Sequence, residues 1–471
     1  MKTDQIQHSL VAAADSIASG EISSRELTES CIARIERLQP VLNCFISPEV
    51  ENALAAAEAA DAARSRGDVV GPLHGVPMAH KDMYYRAGHV STCGSKIRKK
   101  FRANHTATVI QRLADAGALH LGGLNMAEFA FGPTGHNEHW GHCRNPWNIR
   151  HITGGSSSGT GSAVAANLVY AGLGSDTGGS IRLPSAACGL TGIKPTQTRV
   201  SRYGVMGLSF SLDTVGPLTR NVRDCARVFG VIAGADPNDP TSSSVHVDDY
   251  EAATINAEVR GIRIGVPTLY YYDEATAEVR DLMNASLKTF EELGAKIVEV
   301  EVPDHDKLSD LANVVMGSEA ATLHRAWLKE RPLDYSAQVR ARIQPGLLYS
   351  AIDYLQALQI RPQITNRFVE KVFGNCDVLH TPVISFQIPT IAETDLGDAP
   401  DFPVSISRMT HCTRPINYLG LPAIAIPSGF TANGLPASFQ LVGRPFAEEM
   451  LFRVAAAYQA ATDWHLQAPE I

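Results

Sequence analysis

The stretch TGGSSSGTGSAV, residues Thr153 to Val164, decides how the rest of the sequence is interpreted. Its glycines and serines are typical of a flexible linker. An apolar run follows at once, however, and no residue from Ile152 to Ser175 is charged. The stretch is therefore a hinge, a phosphate-binding loop or part of a catalytic site.

A second cluster of glycine and serine, GSDTGGSIR, lies downstream at Gly174 to Arg182. The apolar run AVAANLVYAGL joins the two clusters, and a helix followed by a turn there would bring Ser156 and Ser180 into one pocket. Glycines beside a serine allow successive backbone N–H groups to converge on an anion or oxyanion. A phosphate-binding loop needs the pattern GxxxxGK[ST], and neither cluster has that lysine. The sequence therefore favours catalysis over nucleotide binding.

A serine hydroxyl needs a base to become a good nucleophile at neutral pH. No GxSxG turn is centred on Ser156 or Ser180, so the common serine hydrolase pattern does not apply to them. Upstream, Lys81 stands in the mostly apolar segment GVPMAHKDM. Burial would favour the neutral form of its amine, which could then accept a proton. The alternative is a lysine at the edge of the core that pairs with Asp82.

Helical and strand patterns alternate along the chain, which predicts the α/β class with a mainly buried sheet. Residues Ser23 to Leu38 open with a capping box and repeat apolar side chains at helical spacing, so we expect an amphipathic helix that ends at Pro40. An alanine-rich helix ends at Gly67. Further helix and strand signals lie at 107–131 and 279–302, with strands near Ile264 and at 377–384.

Composition narrows the range of partners and locations. The formal net charge is −8 and no basic block is present, which argues against a nucleic-acid partner. The uncharged run that starts at Ile152 is rich in glycine, serine and threonine, so a buried element fits better than a membrane span. The first residues, MKTDQIQHSLV, lack the pattern of a secretory signal. Eight scattered cysteines without a CxxC pair indicate reduced thiols, and we predict a cytoplasmic location.

Five segments together resemble the amidase signature family of Ser-cisSer-Lys hydrolases: GPLHGVPMAHKD, GGSSSGTGSAVAA, GSDTGGSIRLPSAACGLTGIKPT, SRYGV and SLDTVGPLTR. The similarity runs from about Ser23 to Ala461 and is weakest between Gly234 and Phe373. The resemblance implies one domain over 1–471, built on a large mixed β-sheet flanked by helices. We divide it into an N-terminal helical segment (1–70), a catalytic core (71–233) and a mostly helical region that shapes the substrate site (304–373).

The resemblance also implies roles for individual residues. Ser180 would attack the carbonyl carbon, and Ser156, on a cis peptide bond after Gly155, would relay the proton to Lys81 as the base. An acyl-enzyme on Ser180 would then react with water, so that an amide C–N bond is hydrolysed and ammonia or an amine is released. No cofactor is implied, and a homodimer is compatible with the family. The oxyanion hole would be formed by the backbone N–H groups of Thr177, Gly178, Gly179 and Ser180.

Residues around the motifs suggest further functions. Asp176 and Arg182 could support the nucleophile loop or bind a substrate carboxylate, and we favour support. Tyr84 could form a wall of an aromatic substrate site or pack in the core. Because no cationic anchor other than Arg182 is evident, we expect a small aliphatic or aryl amide, with carbamates and esters as alternatives.

The segment GHNEHWGHCRNPWNIRH contains a group of histidines and one cysteine that could bind zinc. Their spacing fits no familiar zinc site, so hydrogen-bonded or solvated side chains are the better interpretation. Since NPWN resembles a family segment that leads into the first serine cluster, His136 could instead take part in substrate selection. The residues concerned are His136, His139, His142, Cys143 and His151.

Within the family, the A subunit of the glutamine-dependent tRNA amidotransferase shares most of these motifs and is the main alternative. That protein is expected to hold the amino group of glutamine with an acidic residue five positions before the proline of a TIPxNLAGLP-like segment. Here the segment is TRPINYLGLP, and Thr410 occupies that position before Pro415. A neutral threonine cannot pair with an ammonium group. Met83, Gly123 and Thr153 also depart from the amidotransferase pattern, so the sequence favours a stand-alone hydrolase.

Overall fold

The computed structural model describes residues 9–397 and 399–471, and their strands form one sheet. The strands are β1 Phe45–Pro48, β2 Pro77–Lys81, β3 Leu119–Leu124, β4 Ala171–Asp176, β5 Thr191–Lys194, β6 Thr214–Thr219, β7 Arg263–Pro267, β8 Lys296–Val300, β9 Val378–Pro382, β10 Ala423–Phe430 and β11 Pro436–Val442. Their spatial order is β1-β3-β2-β4-β6-β5-β10-β11-β9-β7-β8. Parallel pairing joins β2 to β3 and β4, and β7 to β8 and β9, whereas the other pairs are antiparallel. The predicted mixed sheet is confirmed.

Helices flank this sheet. They are α1 Leu10–Ser19, α2 Ser24–Leu42, α3 Val50–Arg66, α4 Thr108–Asp115, α5 Ser158–Ala165, α6 Arg182–Cys188, α7 Val222–Ile232, α8 Ala277–Glu292, α9 His305–Glu330, α10 Ala337–Ile343, α11 Ala351–Phe373, α12 Ile391–Thr394, α13 Phe402–Thr410, α14 Arg414–Leu419 and α15 Glu448–Ala460. The larger of two hydrophobic clusters among the described residues runs from Leu10 in α1 to Tyr458 in α15 and includes side chains of α9 and α11. No helix in the described ranges is both long and apolar enough for a membrane span.

Most helix boundaries follow from local sequence signals. The capping box of α2 is present, since the Ser23 side chain accepts from Glu26 N–H and the Glu26 carboxylate accepts from Ser23 N–H. The expected end of α2 at Pro40 is wrong. Proline removes only one amide donor, and the next turn closes through the Asn43 N–H, which donates to the Gln39 carbonyl. The alanine-rich helix α3 does end at Gly67, whose φ of 77° is the left-handed conformation that glycine adopts easily.

The region 304–373 is mostly helical, as predicted, and consists of α9, α10 and α11 with two short 3₁₀ turns. Helix α9 packs against α10, α11 and α14. This packing places the helical region next to the loops that follow β4. Residues 1–8 of the predicted N-terminal segment lie outside the described residues, and the division of the chain into 1–70, 71–233 and 304–373 stays a prediction.

Candidate active site

The two glycine and serine clusters meet at one end of the central strands. Strand β2 ends at Lys81 and pairs in parallel with β4, which ends at Asp176. Carboxyl ends of parallel strands lie at the same edge of a sheet. As predicted, the run between the clusters contains a helix and a turn, which are followed by β4. The first cluster, which leads into α5, packs against this edge, and the second cluster follows β4 directly.

The glycines of the first cluster are required by close packing rather than by flexibility. A Cβ on Gly154 would lie 2.8 Å from backbone atoms of Leu183, and φ at Gly154 is 69°. A Cβ on Gly155 would overlap the Gly132 carbonyl oxygen and the Gly135 nitrogen. The Gly155–Ser156 peptide bond is cis, as the resemblance implied. The stretch that resembles a linker by composition is therefore one of the most tightly packed parts of the chain.

Lys81 is buried and bonded to two serines. Its side chain is 1% exposed, and Nζ donates to Ser156 Oγ at 2.7 Å and to Ser175 Oγ at 2.9 Å. Burial lowers the pKa of the Lys81 amine to about 7, although Asp213 and Asp176 oppose the shift. A substantial fraction of the amine is therefore neutral at physiological pH.

The alternative in which Lys81 pairs with Asp82 is wrong. The Asp82 carboxylate accepts the Thr92 N–H at 2.9 Å and also the Thr92 hydroxyl. Burial raises the pKa of Asp82 to about 6, against the effect of these hydrogen bonds. No ion pair joins the two side chains in the described parts of the chain, so the adjacent residues point to different partners.

Ser180 lies at the wall of a small cavity beside the first cluster. It is 8% exposed, and its backbone carbonyl accepts the Ser157 hydroxyl at 2.5 Å. Within residues 9–397 and 399–471, no hydrogen bond joins the hydroxyls of Ser156 and Ser180. The structure thus brings Lys81 and Ser156 into contact, while the relay from Ser156 to Ser180 stays a prediction.

Asp176 organises the loop that carries Ser180. Its carboxylate accepts the Gly179 N–H at 2.7 Å and the Ile181 N–H at 3.2 Å. Burial opposes ionisation of Asp176, but the Arg182 guanidinium, 3.0 Å away, lowers its pKa to about 2. Arg182 is fully buried, so its charge is neutralised by Asp176 and is not offered to a substrate. The arrangement agrees with the preferred interpretation of loop support.

The same hydrogen bonds correct the predicted oxyanion hole. The Gly179 N–H is directed at Asp176 and is not available to an oxyanion. The N–H groups of Thr177, Gly178 and Ser180 make no backbone hydrogen bond in the described chain. These three groups remain the candidates.

Asp213 is a site residue that the sequence did not single out. Its carboxylate accepts the Thr177 hydroxyl at 2.5 Å and the Leu208 and Ser209 N–H groups at 2.8 and 3.0 Å. It also acts electrostatically on Lys81. The only signal was its place in the motif SLDTVGPLTR, where the resemblance gave it no role.

Tyr84 packs in the core. Its hydroxyl donates to the Gly174 carbonyl at 2.6 Å, and the side chain is buried. It does not line the cavities beside Ser180. Tyr84 does line a small cavity beside Lys81, so its role as a wall of an aromatic substrate site stays a prediction.

The histidines of the segment 135–151 bond to separate partners. His136 bonds to Thr394, and His139 and His142 contact the carboxylates of Glu128 and Asp395 at 2.9 and 3.1 Å. His151 bonds to the Ile388 carbonyl. Among the described residues, no group of three or more histidine, cysteine or acidic side chains could hold a metal ion. The zinc site considered as an alternative is not formed, and His136 does not line the cavities next to Ser180.

Two adjoining cavities lead away from Ser180. The inner one, about 20 Å³, is lined by Thr177, Gly178, Ser180 and Thr410 among others. The outer one, about 350 Å³, lies among α9, α10 and α13. They share four lining residues, which sequence reasoning did not find: Phe131, Met316, Arg342 and Arg414.

Comparison with known proteins agrees with this fold. The family model described as Amidase matches residues 26–452. The A subunit of the glutamyl-tRNA(Gln) amidotransferase of Roseiflexus castenholzii is 39% identical, with 100% of this chain and 99% of the relative covered. That of Chloroflexus aggregans is 40% identical, with 98% and 97% covered. The chain therefore belongs to the amidase signature family and is an enzyme of the amidase class.

Solved structures of several activities share the fold. A 6-aminohexanoate cyclic dimer hydrolase with bound substrate has a TM-score of 0.90 at 26% identity, with 99% of each chain covered. A protein from a vestigial complex that reveals the evolutionary origins of an s-triazine catabolic enzyme has a TM-score of 0.89 at 34% identity, with 96% of this chain and 98% of that chain covered. The A subunit of the glutamyl-tRNA(Gln) amidotransferase of Thermotoga maritima has a TM-score of 0.80 at 31% identity, with 95% of each chain covered.

Proposed function

We propose that the protein hydrolyses a carboxylic amide through an acyl-enzyme on Ser180. The observation that carries the proposal is the buried Lys81 amine, whose pKa is about 7 and which donates to Ser156 at 2.7 Å. A base with a pKa near the working pH is well suited to general base catalysis. Ser180 lies in the adjoining loop, where the free N–H groups of Thr177 and Gly178 can stabilise an oxyanion.

In the proposed reaction, Ser156 passes the hydroxyl proton of Ser180 to neutral Lys81 while Ser180 Oγ bonds to the carbonyl carbon. The Lys81 ammonium then returns a proton through Ser156 to the leaving nitrogen, and the C–N bond breaks with release of ammonia or an amine. Water attacks the acyl-enzyme and gives its proton to Lys81. The ester bond breaks and the carboxylic acid leaves, while the Lys81 ammonium returns its proton through Ser156 to restore the Ser180 hydroxyl.

Two members of the family remain as candidates for the particular function. The curated relatives favour the alternative, the A subunit of a glutamyl-tRNA(Gln) amidotransferase, over the stand-alone hydrolase that the sequence favoured. The site supports a substrate other than glutamine, since neutral Thr410 lines the cavity beside Ser180. No acidic side chain among the described residues lines either cavity. All eight cysteines are buried and unpaired, which supports the proposed cytoplasmic location.

Turnover by the purified chain tests the proposal. The native protein is incubated with amides, anilides, carbamates and glutamine, and released ammonia or amine is measured beside the Ser180→Ala variant. We expect activity only with Ser180 present, and an adduct of the acyl group on the Ser180 peptide by mass spectrometry. Full activity of Ser180→Ala would refute the mechanism. Glutamine hydrolysis that requires the other proteins of a tRNA amidotransferase would identify the alternative.

A further inference from the structure

Glu319 is a buried carboxylate that the proposed reaction does not use. It lies on α9 in the helical region and is 1% exposed. It lines neither of the cavities beside Ser180, so it does not touch a substrate held there. A buried carboxylate is unfavourable unless donors satisfy its oxygens. The residues that supply these donors therefore indicate what Glu319 does.

Most of the donors come from the loop before β6, which contains Ser209 and Ser211. The Glu319 carboxylate accepts the hydroxyls of both serines and, at 3.0 Å, the Ser211 N–H. A fourth donor is the Tyr354 hydroxyl of α11, at 2.8 Å. Arg361, also on α11, donates to the Ser211 carbonyl at 2.9 Å. The helical region thus holds this loop through residues that lie outside both cavities.

The same loop fixes Asp213, which directly precedes β6. The Leu208 and Ser209 N–H groups donate to the Asp213 carboxylate at 2.8 and 3.0 Å. Asp213 also accepts the Thr177 hydroxyl at 2.5 Å, and the Thr177 N–H is a candidate for oxyanion stabilisation. Ser209 therefore bonds to Glu319 through its hydroxyl and to Asp213 through its N–H, which joins α9 to the loop after β4.

The loop before β6 also forms part of the wall beside the proposed nucleophile. Leu208 lines the inner cavity together with Thr177 and Ser180. Release of the loop would move Leu208 and the Asp213 carboxylate at the same time. A misplacement of about 1 Å can lower a reaction rate about a hundredfold. The contacts of Glu319 are therefore a place where a change outside the cavities can reach the chemical step.

We propose that Glu319 is a positioning residue, which holds Asp213 through the loop before β6 and keeps the Thr177 N–H in place for the oxyanion. The inference rests on the proposed function of Ser180 and gives the helical region a part in the chemical step. If Glu319 served only to stabilise α9, its donors would be expected on neighbouring helices. Three of its four described donors come from the loop instead.

Two hydroxyl deletions around the same carboxylate give the first test. Ser209→Ala removes a donor of the loop, and Tyr354→Phe removes a donor of α11, so each variant takes one hydrogen bond from Glu319. We expect Ser209→Ala to lower kcat about tenfold with KM within about twofold, and Tyr354→Phe to change kcat by less than about twofold. Steady-state kinetics with an amide that the native enzyme hydrolyses makes the comparison. Equal changes in kcat would refute positioning through the loop.

Removal of the carboxylate should have a larger effect. Glu319→Gln presents an NH2 group to the loop donors, so kcat should fall about ten- to a hundredfold while KM changes by less than about twofold. Asp224→Asn is the matched control, because Asp224 is a buried carboxylate that accepts the Leu10 and Val11 N–H groups at 2.9 Å and lines neither cavity. Circular dichroism checks the fold of both variants. An equal loss of kcat in Asp224→Asn would refute a specific role of Glu319, and if Glu319→Gln does not fold, the two hydroxyl deletions decide.

Combined variants test the path through Asp213. Asp213→Asn removes the charge that accepts the Leu208 and Ser209 N–H groups, so its loss of kcat should already contain the loss caused by Glu319→Gln. We expect the double variant to have about the kcat of the slower single variant, because effects within one hydrogen-bonded network are not additive. Losses of kcat that multiply in the double variant would refute this path.

The pH dependence of kcat/KM gives a readout that a general loss of stability would not move. Burial lowers the pKa of Lys81, and Asp213, Asp176 and Cys93 oppose this shift. Without the Asp213 charge the Lys81 amine stays neutral to lower pH, so Asp213→Asn should move the midpoint of the acid limb down by about half a pH unit or more. Glu319→Gln should move the midpoint in the same direction, since the released loop takes Asp213 away from Lys81. An unchanged midpoint together with a reduced kcat would refute action through Asp213.

The same kinetic measurements separate the two proposals. Turnover that depends on Ser180 in the native protein and is fully retained in Glu319→Gln would leave the hydrolase standing and refute the positioning role. If the native protein shows no turnover that depends on Ser180, the hydrolase is refuted, and the role of Glu319 in it is refuted as well.

Discussion

The site around Ser180 has two faces that differ in how their polar groups are satisfied. On the loop face, built from the ends of β2 and β4, Lys81 bonds to two serines and Asp176 accepts two backbone N–H groups within 3.2 Å. On the helical face, Arg342 and Arg414 lack a carboxylate partner in the described chain. A face whose polar groups are already held by hydrogen bonds is suited to a chemical step. A face whose charged groups lack a partner of opposite charge is suited to ligand selection. We therefore expect changes on the loop face to act on kcat and changes on the helical face to act on KM.

The largest expected effect is the loss of the base on the loop face. Lys81→Met removes the amine and keeps the volume of the side chain, so kcat should fall at least about a thousandfold while the fold survives. Lys194→Met is the matched control, because burial also lowers the pKa of Lys194 to about 7 but its Nζ donates to the Pro195 carbonyl. Steady-state kinetics with any substrate that the native enzyme hydrolyses makes the comparison. If kcat falls equally in the two variants, the loss reflects the removal of a buried lysine in general, and Lys81 is not shown to be the base.

Packing of the loop face predicts a large effect on stability. Gly155→Ala forces a Cβ into the Gly132 and Gly135 backbone, so the free energy of unfolding should fall by about 1–3 kcal/mol, and activity should fall with it. Gly230→Ala in α7 is the control, since no atom lies within 4 Å of the added Cβ. Alanine is the better helix former, so this variant should gain about 0.5–1 kcal/mol. Urea denaturation measures both, and a neutral Gly155→Ala would contradict the close packing of the loop.

The pH dependence of kcat/KM should report the state of Lys81. The base must be neutral, and its pKa of about 7 means that the neutral form is lost as pH falls below 7. We expect kcat/KM to drop about tenfold per pH unit below pH 7 and to level off above it. A profile that stays flat down to pH 5, measured where circular dichroism shows an intact fold, would exclude Lys81 as the base.

The sequence predicted the loop face far better than the helical face. Lys81, Ser156 and Ser180 stand in short sequence motifs, and the glycines beside the serines indicate converging backbone N–H groups. The order of these motifs along the chain supported the resemblance to the family. Asp213 was missed because its hydrogen bond with Thr177 and its electrostatic effect on Lys81 depend on the pairing of β4 with β6.

Arg342 and Arg414 could not have been found in this way. They lie on α10 and α14, far apart in the chain, and only the packing of α9 against both helices places them in one cavity. Arg182 was the one evident cationic anchor in the sequence, but a sequence does not show that a charge is already neutralised. The sequence also placed the end of α2 too early, at Pro40. A proline removes one amide donor, but this loss does not decide where the last helical turn closes.

The smallest expected effects come from substituting two tyrosines, one on each face. Tyr84→Phe removes the hydrogen bond to the Gly174 carbonyl, so the free energy of unfolding should fall by about 1 kcal/mol while KM stays unchanged. Tyr349 lines the outer cavity on the helical side and is partly exposed, so Tyr349→Leu should change KM with little effect on stability. Denaturation and steady-state kinetics on both variants test the division. If Tyr84→Phe alters KM as much as Tyr349→Leu does, Tyr84 contacts the substrate after all, and substrate selection is not confined to the helical face.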